Sequence, residues 1–229
     1  MNERFSWRTL ASVLLLAGAV ATFAGYVGAW VNHRAAGLVI SGLDLGEYVK
    51  FLVPVRAGQV SVWREGFYLP LVAVSLALSF SAFRSDAASG PGRGWPLRAL
   101  MLAGASVAAL NLLPPAWSPA VLRSPEFRTQ VVTMGLCLAA VLVSPLLALL
   151  PRLLVRLPLA GLALVAAVVP VRMFFAVLPA IADLYATALG SGWGVWLMVA
   201  GLIVLAAGQI VALAPRPAPL QDGGMRAGR

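Results

Sequence analysis

Apolar residues run along this chain in blocks of about twenty, the length that crosses roughly 30 Å of hydrocarbon as an α-helix. Short stretches holding nearly all the charge separate the blocks. The pattern predicts spans at residues 9–31, 63–83, 96–113, 130–150, 157–177 and 193–213. It lacks the alternating segments of about ten residues that a membrane β-barrel needs. The predicted fold class is therefore all-α: a polytopic integral membrane protein of about six transmembrane helices. Residues 1–213 read as one transmembrane domain, and the Pro/Gly-rich basic stretch 214–229 as a disordered cytoplasmic tail.

The first apolar block is longer than the roughly 7–15 residues of a signal-peptide core, so an uncleaved first helix with a cytoplasmic N-terminus is expected. Within it Ala17, Ala21, Gly25 and Ala29 recur every fourth residue, a small-residue ridge that would let another helix approach closely. Between the first two spans, Ser41 followed by Asp44 resembles a capping box, with Asp in place of Glu or Gln. Beyond it Asp44, Glu47 and Lys50 share one helical face, and Leu45, Tyr48, Val49 and Leu52 the other. This predicts an amphipathic helix over 41–53, stopped near Pro54 and lying in the outer interfacial plane with its apolar face down.

After the fourth span, residues 151–156 read as a tight basic turn. The apolar stretch 157–189 exceeds one span and is interrupted by Pro170, Arg172, Pro179 and Asp183. It predicts a fifth span to residue 177 and then a separate outer piece, with Gly190 and Gly192 as the hinge into the sixth. All seven tryptophans, at positions 7, 30, 63, 95, 117, 193 and 196, fall at predicted span ends, as an aromatic belt requires.

Composition agrees. Of 229 residues, 61% are hydrophobic and 11% charged, and mean hydropathy is +0.90, far from the roughly 25% charge of a soluble domain. The net charge of +9 would suggest nucleic acid in a soluble protein. Here the basic residues sit at span ends, where they set topology and meet anionic headgroups, so no nucleic-acid partner is expected. The expected location is the plasma membrane, read as a bacterial inner membrane, with both termini cytoplasmic. Cys137 is the lone cysteine and His33 the lone histidine, so neither a disulfide within the chain nor a His/Cys metal set can form. No metal and no cofactor are predicted.

Candidate chemistry is sparse. Arg172 falls inside the fifth span, where an ionised side chain usually has a partner or a function. It is expected to pair with Asp183, or with Asp44, Glu47 or Glu65 opposite; snorkelling to headgroups is the alternative. Together with Arg64 these residues form the candidate ligand or ion-pair site. No catalytic residues are assigned. Ser75 with Ser79, and Thr133 with Cys137, are pairs suited to hydrogen bonding between helices.

Six spans, internal termini and a broken piece before the last span resemble, in architecture alone, the layout of ABC-type exporter permeases; the long first outer segment departs from it. The expected function is a non-catalytic integral membrane subunit of a larger assembly. The form expected is a permease-like component of a transport complex, energised by a cytoplasmic ATPase or packed against other membrane subunits. A membrane-embedded enzyme acting on a lipid-linked or periplasmic substrate at the outer face is the alternative, and a purely structural scaffold subunit another.

Overall fold

The computed structural model describes residues 7–32, 40–84, 94–114 and 118–214. The expected disordered tail, Trp117 and His33 lie outside them. The chain is mostly helical, with one small two-stranded sheet. Helix α1 (Trp7–Val27) leads to a short strand β1 (Val31–Asn32), then α2 (Gly42–Tyr48), a 3-10 turn (Val49–Phe51) and α3 (Val53–Arg56). A second 3-10 turn (Arg64–Tyr68) runs into α4 (Leu69–Ala82). Then come α5 (Gly94–Leu110), α6 (Pro119–Leu122), a third 3-10 turn (Pro125–Phe127), α7 (Arg128–Leu142) and α8 (Ser144–Leu147). Helix α9 (Arg152–Leu184), strand β2 (Gly190–Ser191) and α10 (Trp193–Val211) complete it. Among the described residues, four stretches are long and apolar enough to cross a membrane: Thr9–Val27, Arg64–Ala82, Arg152–Leu184 and Trp193–Val211. Helix α5 is apolar but shorter. We call the end where α1 begins the near end and the end where it stops the far end.

The most extensive helix pairing is antiparallel, α1 against α10. A side chain at Gly18 would strike the backbone of Leu205 and Gly201; one at Gly25 would strike Met198 and Gly194; one at Gly201 would strike Thr22. The contact face of α1 is therefore Gly18, Thr22, Gly25 and Ala29, and the predicted ridge at Ala17, Ala21, Gly25 and Ala29 is half wrong. Ala17 is exposed. The reason is rotational: steps of four advance about 40° beyond a full turn each, so three of them drift about 120° around the helix, whereas steps of four, three and four stay on one face. On α10 the matching stripe is Gly194, Gly201 and Gly208, one per heptad.

Helix α1 stops at Val27, four residues before the predicted end, and the chain turns extended to pair with β2, Val31 opposite Ser191 and Asn32 opposite Gly190. Gly192 is what permits this. A side chain there would collide with the Ala29 carbonyl, and its amide donates to Trp30 O at 2.6 Å. Trp30 is not an interfacial belt residue: it is fully buried, its indole donating to Gly25 O at 3.1 Å and packed against Tyr26, Phe67 and Phe174. Trp7 and Trp95 at the near end, and Trp63, Trp193 and Trp196 at the far end, are exposed as a belt requires.

Three expectations about breaks are corrected. The fourth predicted span ends at Leu142, because Pro145 cannot donate to Val141 and starts α8 instead. Residues 152–156 are not a turn but the first turn of α9, with Pro151 as its N-cap. Residues 157–184 are not a span followed by a separate piece: α9 is one helix of 33 residues that passes through Pro158, Pro170 and Pro179. In an apolar surround the helix remains the best way to satisfy backbone groups, so each proline removes one bond without ending the helix.

Candidate functional site

The segment between α1 and α4 builds the predicted polar face. Ser41 caps α2 by accepting from the Asp44 amide at 3.3 Å, and Asp44 Oδ2 accepts from the Ser41 amide at 2.9 Å, so the capping box is present with Asp as its third member. The helix is shorter than predicted, passing into a 3-10 turn at Val49, and Pro54 opens α3 rather than simply stopping α2. Leu45, Val49 and Leu52 are buried in the protein's own core, where the 3-10 turn leading into α4 supports α2. The polar face is thereby left pointing at Arg64.

Four charges and a phenol meet there. Glu47 Oε1 accepts from Arg64 Nη2 at 2.5 Å and from the Tyr68 hydroxyl at 2.9 Å; Glu47 Oε2 accepts from Lys50 Nζ at 3.1 Å. Lys50 reaches on to Glu126 Oε1 at 2.7 Å, and Arg64 Nη1 lies 3.6 Å from the same oxygen. Arg64 Nε donates to Gly46 O at 2.9 Å. The Arg64 and Lys50 cations also sit over the Phe127 ring, at 5.1 and 5.4 Å from its centroid. Close approach requires Gly46, since a side chain there would meet the Tyr68 phenol at 2.9 Å. Burial pushes the Glu47 carboxyl up, but hydrogen bonds from Arg64, Lys50 and Tyr68 outweigh it and hold the group below the usual carboxylate range. Burial likewise opposes the Lys50 charge, and Glu126 and Glu47 raise its pKa despite it. The cluster is a charge-balanced clamp joining α2, the start of the second long apolar stretch and the turn before α7.

The structure brings together Glu47 and Arg64 of the predicted set and adds Lys50 and Glu126. It leaves the others apart. Asp44 is engaged in its cap, and Glu65 is half-buried outside the clamp. Arg172 is exposed and has no acidic oxygen within 4 Å among the described residues, so the expected pairing is not formed. Its intended partner Asp183 shares its helix face, but an unbroken α9 holds eleven residues about 16 Å apart, beyond side-chain reach. Asp183 instead stands at the mouth of an apolar recess of about 480 Å³ between the α2–α3 elbow and the end of α9, with Tyr48, Phe51, Leu52, Ala180 and Leu184.

A second charged group, at the near end, was not legible as such. Arg156 is 5% exposed; its Nη1 donates to Ser81 Oγ at 2.8 Å and to Gln209 Oε1 at 2.6 Å, linking α9 to α4 and α10. Arg84 and Arg152 are its charged neighbours. Arg84 Nη2 donates to the carbonyls of Leu147 and Leu150 at the frayed end of α8. The one signal in the sequence was the i,i+4 spacing of Arg152 and Arg156, hidden by reading those residues as a turn. Of the predicted pairs for bonding between helices, Ser79 Oγ donates at 2.7 Å to Ser75 O within α4 itself. No group of His, Cys, Asp and Glu suited to a metal occurs among the described residues. Comparison with protein-family models, with curated proteins and with solved structures yields no match.

Proposed function

We propose that this chain is a non-catalytic integral membrane subunit of a larger assembly, in the form of a permease-like component of a transport complex energised by a partner. The observation that carries the reading is the clamp. Glu47, the best-placed carboxylate for acid–base work, already accepts from three donors and is held ionised, which suits it to fixing three segments and not to moving a proton. The side of the molecule formed by α7, α8 and the start of α9 adds support. Leu136, Leu142, Leu146, Leu149 and Leu154 are all exposed there, a broad apolar surface for lipid or for neighbouring membrane chains.

In this reading the chain crosses the plasma membrane, a bacterial inner membrane, six times, α5 and α7 being short spans accommodated by local thinning or tilt. Both termini are cytoplasmic and the clamp is on the outer face. Cysteines introduced by Ala88→Cys and Leu220→Cys should resist external labelling in intact cells, while Ala36→Cys should label; external labelling at 220 would contradict the even count. The native Cys137 is buried and contributes little background.

Isolation in mild detergent tests the function. A stoichiometric ATPase or other membrane subunits should come with the chain, and a lone monomer across several detergents would refute the reading. The enzyme alternative draws on one observation, the recess that sets Asp183 beside Tyr48 and apolar walls. A bound lipid-linked substrate there, lost on Asp183→Asn, would favour it.

A further inference from the structure

The last turn of α9 and the α2–α3 elbow frame a cation site at the far end, and we propose that it holds the primary ammonium headgroup of a membrane phospholipid, the chemistry of phosphatidylethanolamine. The site is the recess of about 480 Å³ whose walls include Tyr48, Phe51, Leu52, Ala180 and Leu184. That volume suits a headgroup together with the start of its chains. Asp183 is the one charged residue in the lining. It is exposed, and no basic nitrogen among the described residues lies within 4 Å of its carboxylate. Lys50, which rests over the Phe51 ring, is already taken up by Glu47 and Glu126.

The charge argument comes from the helix. Asp183 stands in the last turn of α9, where the carbonyls carry the negative end of a 33-residue helix dipole, and that turn contains no basic residue. Carboxylate and dipole therefore add, and a bound cation answers both. The walls select the kind of cation. An inorganic ion such as calcium needs six or more oxygen ligands and gains nothing from apolar walls. An alkylammonium sets its carbons against Leu52 and Leu184 and its charge beside Asp183 and the Tyr48 and Phe51 rings. A primary ammonium suits the carboxylate best, because its N–H groups donate charge-assisted hydrogen bonds that a trimethylammonium lacks. The rim supplies the rest of a lipid's surroundings. Phe51 is 65% exposed, Val53 75% and Leu184 64%, at the same end as the exposed Trp63, Trp193 and Trp196, so an acyl chain leaving the recess runs along apolar side chains. The lipid is held and not altered, and the inference stands whether or not partner subunits copurify with the chain.

Native mass spectrometry of the full-length protein, washed free of lipid in detergent, tests this with three short-chain probes of equal chain length: phosphatidylethanolamine, phosphatidylcholine and phosphatidylglycerol. Phosphatidylethanolamine should bind at least about tenfold more tightly than either of the others and be recovered intact. Asp183→Asn should bring its affinity down to that of phosphatidylcholine; the position is exposed, so the variant folds. Ala180→Phe fills the recess and should abolish the preference with the carboxylate still in place. Glu65→Gln, which removes a far-end carboxylate outside the recess, should keep it. Equal affinity for phosphatidylcholine, a preference for phosphatidylglycerol, a preference that survives Asp183→Asn or Ala180→Phe, or one lost in Glu65→Gln would overturn the proposal. Cleavage of the bound lipid would overturn it too, and would make the recess an active site.

Discussion

At the far end, Arg64 and Lys50 are answered by Glu47 and Glu126, so each cation in the clamp faces a carboxylate. At the near end, Arg84, Arg152 and Arg156 gather around carbonyl, hydroxyl and amide oxygens and a cavity. Both ends gather cations against the fold, but their acceptors differ and so do the consequences. A balanced cluster draws its energy from within the fold, so removing one member strands another. At the near end, burial and the neighbouring Arg152 both oppose the charge of Arg84, and the described acceptors are neutral oxygens.

The largest expected effect breaks the balanced end. Arg64→Leu removes two contacts to Glu47 and Glu126 and leaves Glu47 with 20% of its side-chain surface in water. Unfolding in detergent should show a loss of about 2–3 kcal/mol, below the 3–5 kcal/mol of a fully buried pair. Glu47→Leu with Arg64→Leu should recover more than half of it. A single change costing under about 0.5 kcal/mol would put the clamp with ordinary surface pairs.

Acid should act on the clamp as well. The folded-state pKa of Glu47 lies below its ordinary value, so its contribution is complete above the unfolded value of about 4.3 and is lost as pH falls through the folded value. Tm should therefore drop below about pH 4, and the part of the drop absent in Glu47→Gln is the clamp's share. Lys50 has the opposite sign: its raised pKa stabilises fully below its ordinary value near 10.5, and the gain disappears as pH rises through the folded value. An unchanged acid profile in Glu47→Gln would show that the clamp carries little.

At the near end, Arg156→Met should do less harm than its burial suggests. It leaves Ser81 Oγ and Gln209 Oε1 without their donor, a cost of about 1–3 kcal/mol, but it also removes an unneutralised charge from the interior. The net change should be under about 1 kcal/mol, of either sign. A loss as large as that of Arg64→Leu would erase the distinction between the two ends.

How much of this was legible follows from which interactions are local. The mostly helical, apolar character of the chain, the Ser41–Asp44 cap and the buried Leu45, Val49 and Leu52 face depend on neighbours within a few residues, and the structure reproduces them; of the six predicted blocks, four are long and apolar enough to span among the described residues. The partner of Glu47 was not legible, because Arg64 lies 17 residues on and Glu126 farther still; only the fold brings them to one point. Arg156 was misplaced for a related reason. Pro151 and the basic residues after it read as a tight turn over 151–156, whereas Pro151 caps α9 and the helix continues through Pro158. The helix face of α1 was missed by a count of fours where the true contact alternates fours and threes.

The smallest effect refines the balanced end from its rim. Lys50 is 30% exposed and Glu126 51%, so their 2.7 Å contact is bathed in water, unlike the Arg64–Glu47 contact beneath it. Lys50→Met should cost about 0.5 kcal/mol or less, since an exposed pair gains little over its hydrated charges and the methionine keeps the packing on Phe51 and Phe127. That cost should shrink further at about 0.5 M salt, where the screening length falls to a few ångströms, while the cost of Arg64→Leu should persist because its pair is shielded by protein. Equal salt sensitivity in the two variants would mean that Arg64 and Glu47 are no better protected than the rim. The clamp would then be a solvated surface network, and its contrast with the neutral oxygens that hold Arg156 would rest on the type of partner alone.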